Sequence, residues 1–236
     1  PNIILSDADL EIAIPGVIDG MRYTRQGQAC TAGSRVYIHE KIYDKVLDGA
    51  VKKLSKLKMG NALDENSDIG AIISEEQLKR TLYYMDIAKK NPSTKILHGG
   101  NQSKGGEYKD GFYYEPTLLS GLPVSSPVCQ EEVFGPVACA IPFKSFDEVM
   151  KSANDTQFGL SAVLWTKDLS RALQFVDEIE AGFVQVNQCV APRANVSYGG
   201  IKMSGLGKEY AFDSMMNHFT QSKTVLINRG KSNIDV

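Results

Sequence analysis

The stretch Gly27-Gln-Ala-Cys30-Thr-Ala-Gly-Ser-Arg35 joins a helical segment to a strand-like segment and is the part of the chain most informative about fold and chemistry. Cys30 is surrounded by small residues and by two glycines, Gly27 and Gly33. Glycines allow unusual backbone angles, and small neighbours leave room for substrate and for backbone N–H groups beside the sulfur. A reactive thiol needs this access as well as partial thiolate character. Cys30 is therefore a candidate nucleophile, although an isolated cysteine in this setting also fits an inert core residue.

Strand-like and helical patterns alternate on both sides of this stretch. Predicted strands cover 1–5, 35–39, 95–98, 137–141, 161–165 and 183–186, and predicted helices cover 10–21, 41–57, 75–90, 146–154 and 169–179. Polar loops are expected at 61–70 and 101–111. Such alternation predicts an α/β fold with a largely parallel sheet and flanking helices.

Two local signals predict details of the first helix. Ser6-Asp7-Ala8-Asp9 is expected to form a capping box, and Pro15-Gly16 is expected to kink or interrupt the helix.

The last apolar run, Thr224–Ile227, follows a helical stretch and precedes a polar tail. It is predicted to be an edge strand donated to a partner subunit in a homo-oligomer.

Composition narrows the class of partner. The 236 residues carry a formal net charge of -2, which gives no electrostatic reason to expect nucleic acid or an anionic membrane as a partner. No apolar stretch approaches the roughly 20 residues that span a bilayer. The four cysteines, Cys30, Cys129, Cys139 and Cys189, form no zinc-type group with the three histidines, so no metal site is expected. We expect a reduced, cytoplasmic protein with a small-molecule ligand.

One other cysteine chemistry can be tested directly on the sequence. Gln28-Ala29-Cys30 matches the start of the caspase pattern Q-A-C-[RQG]-G, but Thr31 and Ala32 replace the last pair. That pattern also requires a histidine about 50 residues upstream. Only 29 residues precede Cys30, so cysteine-protease chemistry is not expected.

Four segments, taken in order, resemble those of one known family. The Gly27–Arg35 stretch resembles the active-site cysteine signature of the NAD(P)-dependent aldehyde dehydrogenases, and Gln130-Glu-Glu-Val-Phe-Gly-Pro-Val137 resembles a second motif of that family. The segment from Asn154 to Asn187 resembles its later strand-helix-strand region, and Tyr198-Gly-Gly-Ile-Lys-Met-Ser-Gly205 resembles its final loop. The resemblance runs from Pro1 to about Ile227.

The resemblance implies roles for individual residues. Cys30 would attack an aldehyde carbonyl, and its backbone N–H would help to hold the oxyanion. Glu132 would bind the nicotinamide ribose of NAD or NADP, Phe134 would pack near the nicotinamide, and Gln77 would be a further ribose contact. Taken alone, Glu131 and Glu132 would fit a solvated acidic pair, and Phe134 would fit core packing.

The substrate would be bound by segments on either side of the nucleophile. By the same resemblance, Thr24, Val190 and Tyr198 line the substrate tunnel, and the mixture of side chains around Val190 suggests an uncharged, partly apolar aldehyde. Arg193 is the exception, since it could meet a carboxylate or face solvent. An ordinary surface loop is the alternative for the 190–198 segment.

Other parts of the family's machinery have no counterpart in these residues. The general-base glutamate of the family lies in a Glu-Leu-Gly-Gly-type stretch, which does not occur here, and Gly205-Leu206-Gly207 does not continue into the dinucleotide-binding pattern G-x-G-x-x-G. The resemblance therefore implies a catalytic domain at 1–219, an oligomerisation strand and tail at 220–236, and no N-terminal cofactor-binding domain. The fragment alone is expected to be inactive. Two alternatives remain: a fragment of a CoA-acylating semialdehyde dehydrogenase, and a non-catalytic interaction fragment that retains the fold.

Overall fold

The computed structural model describes residues 1–228. The strands are β1 (Asn2–Ile4), β2 (Arg35–His39), β3 (Lys95–His98), β4 (Gln102–Ser103), β5 (Tyr113–Tyr114), β6 (Thr117–Ser120), β7 (Val137–Phe143), β8 (Phe158–Gly159), β9 (Ser161–Trp165), β10 (Phe183–Val186) and β11 (Ile201–Lys202). The helices are α1 (Leu10–Met21), α2 (Tyr43–Leu54), α3 (Glu75–Lys90), α4 (Pro127–Gln130), α5 (Phe146–Asn154), α6 (Leu169–Glu178) and α7 (Phe212–Phe219).

A seven-stranded sheet in the order β10-β9-β1-β2-β7-β6-β3 forms the centre of the molecule. Neighbouring strands from β10 to β6 are parallel, and β3 pairs with β6 in the antiparallel sense. Alternate residues of the central strands point to opposite faces. Ile3 and Tyr37 join one buried apolar cluster, whereas Ile4, Val36 and Ile38 join the other. Burial on both sides by helices is what a parallel sheet requires, and the predicted α/β fold is confirmed.

Helix α1 differs from expectation at its start and in its middle. The predicted capping box from Ser6 is wrong: Asp9 is the N-cap and its carboxylate accepts from the Glu11 N–H at 3.0 Å. The predicted interruption is wrong, because one helix runs through Pro15 and Gly16, and a kink at this point stays a prediction. A Cβ on Gly16 would lie 2.0 Å from the indole of Trp165. The glycine therefore lets the helix lie directly on β9.

Most predicted elements have the observed bounds, but short ones were not predicted. Strand β6 lies between Pro116 and Gly121 and was missed, as were β8, β11 and the single turn of α4. The helix predicted over 41–57 is instead a 3₁₀ turn, Glu40–Ile42, followed by α2. The polar loop at 101–111 contains β4, which pairs with β5.

The end of the described chain lies outside the sheet. Thr224–Ile227 is exposed and pairs with no strand within residues 1–228, so its pairing with a partner subunit stays a prediction. The remainder of the predicted tail, 229–236, lies outside the described residues.

Across the described part of the chain, no helix is both long enough and apolar enough to cross a bilayer.

Candidate active site

A cavity of about 320 Å³ opens at the amino-terminal edge of the parallel strands. The segments that enter β1, β2, β7 and β9 all contribute to its walls. Its lining includes Pro1, Cys30, Arg35, Glu132, Phe134 and Ser161. The structure thus brings the candidate nucleophile and both predicted nicotinamide contacts to one cavity.

The loop between α1 and β2 presents Cys30 to solvent. Its backbone turns at Ala29–Ala32, where the Ala32 N–H donates to the Ala29 carbonyl at 3.0 Å. Before the turn, the Gln28 side-chain oxygen accepts from the Ile73 N–H at 3.1 Å, which ties the loop to a second segment. Within residues 1–228 no group accepts from the Cys30 N–H. This donor is therefore available to a developing oxyanion.

Two glycines allow the Cys30 loop to touch the loop that precedes β7. Gly27 has a φ of +64°, and a Cβ there would lie 2.2 Å from the Gly135 carbonyl oxygen. A Cβ on Gly135 would in turn lie 2.4 Å from the Thr81 hydroxyl on α3. The backbones of the two loops and the Thr81 side chain are therefore in close contact, which restricts the movement of each loop relative to the other.

Helix α3 holds the second loop through its backbone. The Gln77 side-chain amide donates to the carbonyls of Val133 and Phe134, at 3.0 and 2.7 Å. Arg80 donates to the Glu132 carbonyl through both Nε and a terminal nitrogen. Phe134 has a φ of +53°, a left-handed conformation that a bulky residue keeps only where its surroundings enforce it. These donations supply that enforcement.

The two acidic residues of this loop have different environments. Glu131 accepts a hydrogen bond from the Tyr84 hydroxyl at 2.8 Å. Burial raises the pKa of Tyr84 to about 12, with a further contribution from this bond to Glu131. The Glu132 side chain is exposed and makes no ion pair among the described residues. Glu132 is thus the carboxylate of the pair that is free to accept from a ligand.

The predicted substrate-tunnel residues do not share one location. The Tyr198 hydroxyl lies 3.2 Å from the Cys30 sulfur. Thr24 is exposed in a 3₁₀ turn, and the half-buried Val190 donates its N–H to the Gln185 side chain at 2.8 Å. Thr24, Val190 and Tyr198 are all outside the cavity lining, so their assignment to a tunnel stays a prediction.

Gln77 has a different observed contact from the one predicted. We expected it to contact ribose, but its amide nitrogen donates to two backbone carbonyls, and a ribose contact stays a prediction.

The sequence analysis did not identify Arg35 as part of the site. Arg35 is 8% exposed, lines the cavity and donates to the Tyr37 hydroxyl and the Ala153 carbonyl, both at 3.1 Å. It forms no ion pair with the carboxylates of the described residues. Its position at the start of a buried strand was the available signal.

Within the described residues, no cluster of three or more histidine, cysteine, aspartate or glutamate side chains could hold an ion.

The sequence of this chain is similar to those of known proteins of one family. Residues 1–225 match the model of the aldehyde dehydrogenase family. An aldehyde dehydrogenase of Rhodospirillum rubrum is 37% identical over 233 residues, which cover 96% of this chain and 45% of the relative. A betaine aldehyde dehydrogenase of Brucella melitensis is 36% identical over 231 residues, covering 98% of this chain and 47% of the relative. The chain therefore spans a little under half the length of these relatives.

Solved structures show the same relationship in three dimensions. The NAD⁺ complex of an aldehyde dehydrogenase from Bacillus cereus superposes with a TM-score of 0.91 at 35% identity, covering 97% of this chain and 45% of that one. A betaine aldehyde dehydrogenase from Staphylococcus aureus in complex with NAD⁺ superposes with a TM-score of 0.87 at 34% identity, covering 92% and 43%.

Proposed function

The chain belongs to the aldehyde dehydrogenase family, and on that premise we propose that it supplies the nucleophile and the nicotinamide-facing residues for oxidation of an aldehyde to a carboxylic acid. The observation that supports this proposal is that Cys30, Glu132 and Phe134 all line the same cavity. A nucleophile, an exposed carboxylate and an aromatic ring at one opening suit a reaction that needs covalent attack beside a bound dinucleotide.

Cys30 performs the covalent step. Its thiolate donates an electron pair to the aldehyde carbon, and the carbonyl π electrons move to the oxygen to give a thiohemiacetal oxyanion. The Cys30 N–H, which has no acceptor within residues 1–228, is a donor for that oxygen. After loss of hydride the carbon is a thioester of Cys30, and addition of water then breaks the C–S bond, which releases the acid and restores the thiol.

The residues opposite Cys30 fit a nicotinamide nucleotide. NAD or NADP, when bound, accepts the hydride of the aldehyde carbon. Glu132 has an exposed carboxylate that can accept from ribose hydroxyls, and its backbone is clamped by Arg80. The half-buried Phe134 ring offers an apolar surface at the same cavity. Their support on α3 keeps both residues fixed relative to the nucleophile.

We assign to this chain only the covalent steps at Cys30 and the contacts of Glu132 and Phe134 with the nicotinamide nucleotide. The chain spans 45% of the Rhodospirillum rubrum relative, and the complete reaction, its substrate and its cofactor affinity are attributed to the complete protein. We expect negligible NAD-dependent turnover from the 236 residues alone. The substrate class that suits the 190–198 segment is an uncharged, partly apolar aldehyde.

The end of the chain is assigned to assembly. We propose a catalytic domain at 1–219 and an oligomerisation strand and tail at 220–236, with Thr224–Ile227 pairing in a second copy of the chain. Val225, Leu226 and Ile227 are 63%, 93% and 75% exposed. Three consecutive exposed apolar residues are an unfavourable surface in water, and burial in a homo-oligomer would remove it.

An acyl-transfer experiment tests the nucleophile without cofactor. The chain is incubated with p-nitrophenyl acetate, and acetylated peptides are identified by mass spectrometry. We expect acetyl transfer to Cys30 with release of one equivalent of nitrophenol, and none in Cys30→Ala. Cys189→Ala is the matched control, since this cysteine is half-buried and outside the cavity lining. Equal nitrophenol release from wild type and Cys30→Ala would remove Cys30 from the reaction.

A further inference from the structure

The contact between Cys30 and Tyr198 joins residues that are 168 positions apart in the chain. The phenol oxygen lies 3.2 Å from the sulfur, a hydrogen-bonding distance for this pair. None of the roles assigned above uses this hydroxyl, because a tunnel wall needs only the ring. The contact therefore calls for a separate chemical explanation.

Tyr198 is held in this position by its backbone and by its ring. Its N–H donates to the Glu209 carbonyl at 2.9 Å, and the Glu209 N–H returns a bond to the Tyr198 carbonyl at 2.7 Å. The ring meets Phe183 and Tyr210 edge-on, with centroids 5.4 and 5.7 Å away. Phe183 is the first residue of β10. The Tyr198 ring therefore packs at the same amino-terminal edge of the sheet as the Cys30 loop. Such a fixed ring aims its hydroxyl in one direction.

The protonation state of the pair fixes which atom donates. Once Cys30 is ionised it has no hydrogen, so the phenol O–H must be the donor. Burial, followed by the hydrogen bond to Cys30, raises the pKa of Tyr198 well above its ordinary range, and the phenol keeps its proton at neutral pH. Tyr210 and Glu209 are the other ionisable groups facing this phenol. The charged groups that line the cavity with Cys30 are Arg35, Glu131, Glu132 and Glu180.

We propose that Tyr198 is a positioning residue for the nucleophile, whose O–H donates to the Cys30 thiolate, stabilises it before substrate binds and directs it into the cavity. When the sulfur electron pair forms the S–C bond, the negative charge passes to the aldehyde oxygen and the phenol keeps its proton. The donation to sulfur therefore weakens as the bond forms. The assignment rests on the proposed function only in giving that thiolate an aldehyde to attack.

The expected effect of removing the hydroxyl has opposite signs at two pH values. A hydrogen bond to an ionised group commonly changes its population by about tenfold, so Tyr198→Phe should contain about tenfold less thiolate at about pH 7. A thiolate that lacks the donor is more nucleophilic, by roughly threefold for that change in basicity. The product is an alkylation rate about threefold lower than wild type at about pH 7. At about pH 10, above the ordinary range of thiol ionisation, the loss of the donor should make the variant react about two- to threefold faster.

The test is alkylation of Cys30 by iodoacetamide, followed by mass spectrometry of the Cys30 peptide, which requires neither cofactor nor aldehyde. Wild type, Tyr198→Phe and Tyr210→Phe are compared at both pH values. Tyr210→Phe is the matched control, because it removes a neighbouring phenol hydroxyl and keeps the ring that packs on Tyr198. Its rates should equal those of wild type. Far-UV circular dichroism of each variant establishes that the fold is retained.

A reversal of the rate ratio between the two pH values, seen only in Tyr198→Phe, supports the proposal. Equal rates in Tyr198→Phe and wild type overturn it, and so does a change of the same sign at both pH values, which would mean altered access to the sulfur. The outcome is independent of the acyl-transfer test. Failure of acetyl transfer with a preserved reversal would refute the proposed function alone, whereas the opposite pair of results would refute the role of Tyr198 alone.

Discussion

The substitution Gly27→Ala tests whether backbone contact between two loops fixes the distance across the cavity. Gly27 combines a φ of +64° with a Cβ position 2.2 Å from the Gly135 carbonyl oxygen. The carbonyl cannot simply move away, because it accepts from the Val137 N–H at 2.8 Å, and because Gly135 itself lies against Thr81. Alanine at 27 therefore meets both conformational strain and a backbone obstruction.

The two contributions can be separated in magnitude. A left-handed conformation costs a residue with a Cβ about 1–2 kcal/mol, and the stiffer unfolded chain offsets about 0.4–1 kcal/mol of that. Overpacking against fixed neighbours adds about 1–3 kcal/mol. We expect Gly27→Ala to lose about 1–4.6 kcal/mol of unfolding free energy. Gly106→Ala should lose at most about 1.6 kcal/mol, because Gly106 has a φ of +53° and, among the described residues other than its chain neighbours, no atom lies within 4 Å of its Cβ position.

The assay is equilibrium unfolding in urea, monitored by far-UV circular dichroism and analysed by linear extrapolation. Gly106→Ala serves as the control for positive φ, so the difference between the two variants measures the obstruction at Gly135. Equal losses in Gly27→Ala and Gly106→Ala would refute the argument that contact between the loops, rather than backbone angle alone, demands glycine at position 27.

Three further outcomes follow from other contacts. Gln77→Leu removes two donations to loop carbonyls and should lower the unfolding free energy in urea by about 1–2 kcal/mol. Leu226→Lys should shift sedimentation toward smaller species, whereas Leu63→Lys, at a residue equally 93% exposed, should not; an unchanged distribution for both would contradict the oligomerisation strand. Because the pKa of Tyr84 rises from 10.0 to about 12 on folding, the unfolded chain ionises first, and stability falls as pH increases through this range. Tyr84→Phe should remove at most about 2–3 kcal/mol of that fall, since solvent screens part of the interaction, and identical pH profiles would contradict it.

The sequence predicted several elements correctly because their patterns are local. Helices α3 and α5 and strands β9 and β10 have the predicted bounds, since each has a clear local pattern and polar or glycine boundaries. Strand β6 is no shorter than β10, but its sequence Thr-Leu-Leu-Ser shows no alternation of apolar and polar residues, because all four side chains are buried. The continuity of helix α1 through Gly16 could not be predicted, because the reason for that glycine, the indole of Trp165, lies about 150 residues away in the chain. A local rule cannot contain such a contact.

The same distinction applies to the site. Cys30, Glu132 and Phe134 could be predicted because each lies in a contiguous motif, and the structure brings all three to one cavity. The residues that hold them could not. Gln77 donates to backbone carbonyls of the loop before β7. Every residue has a backbone carbonyl, so no pattern of side chains in that loop predicts the contact. The Tyr198 hydroxyl likewise reaches Cys30 only through the folding of a distant loop.

The location of the cavity explains why short loops are sufficient to build it. In open α/β sheets, ligands usually bind beyond the carboxyl ends of the strands, but this cavity lies where β1, β2, β7 and β9 begin. The loop of Cys30 enters β2 and the loop of Phe134 enters β7, and these strands are hydrogen-bonded neighbours, with Arg35 opposite Cys139. The separation between Cys30 and the loop that carries Glu132 and Phe134 is thus set first by the register of two buried strands. The glycine contact and the donations from α3 then remove the freedom that remains in the loops, which is why we expect substitutions at these supporting positions to affect the site without touching any reacting atom.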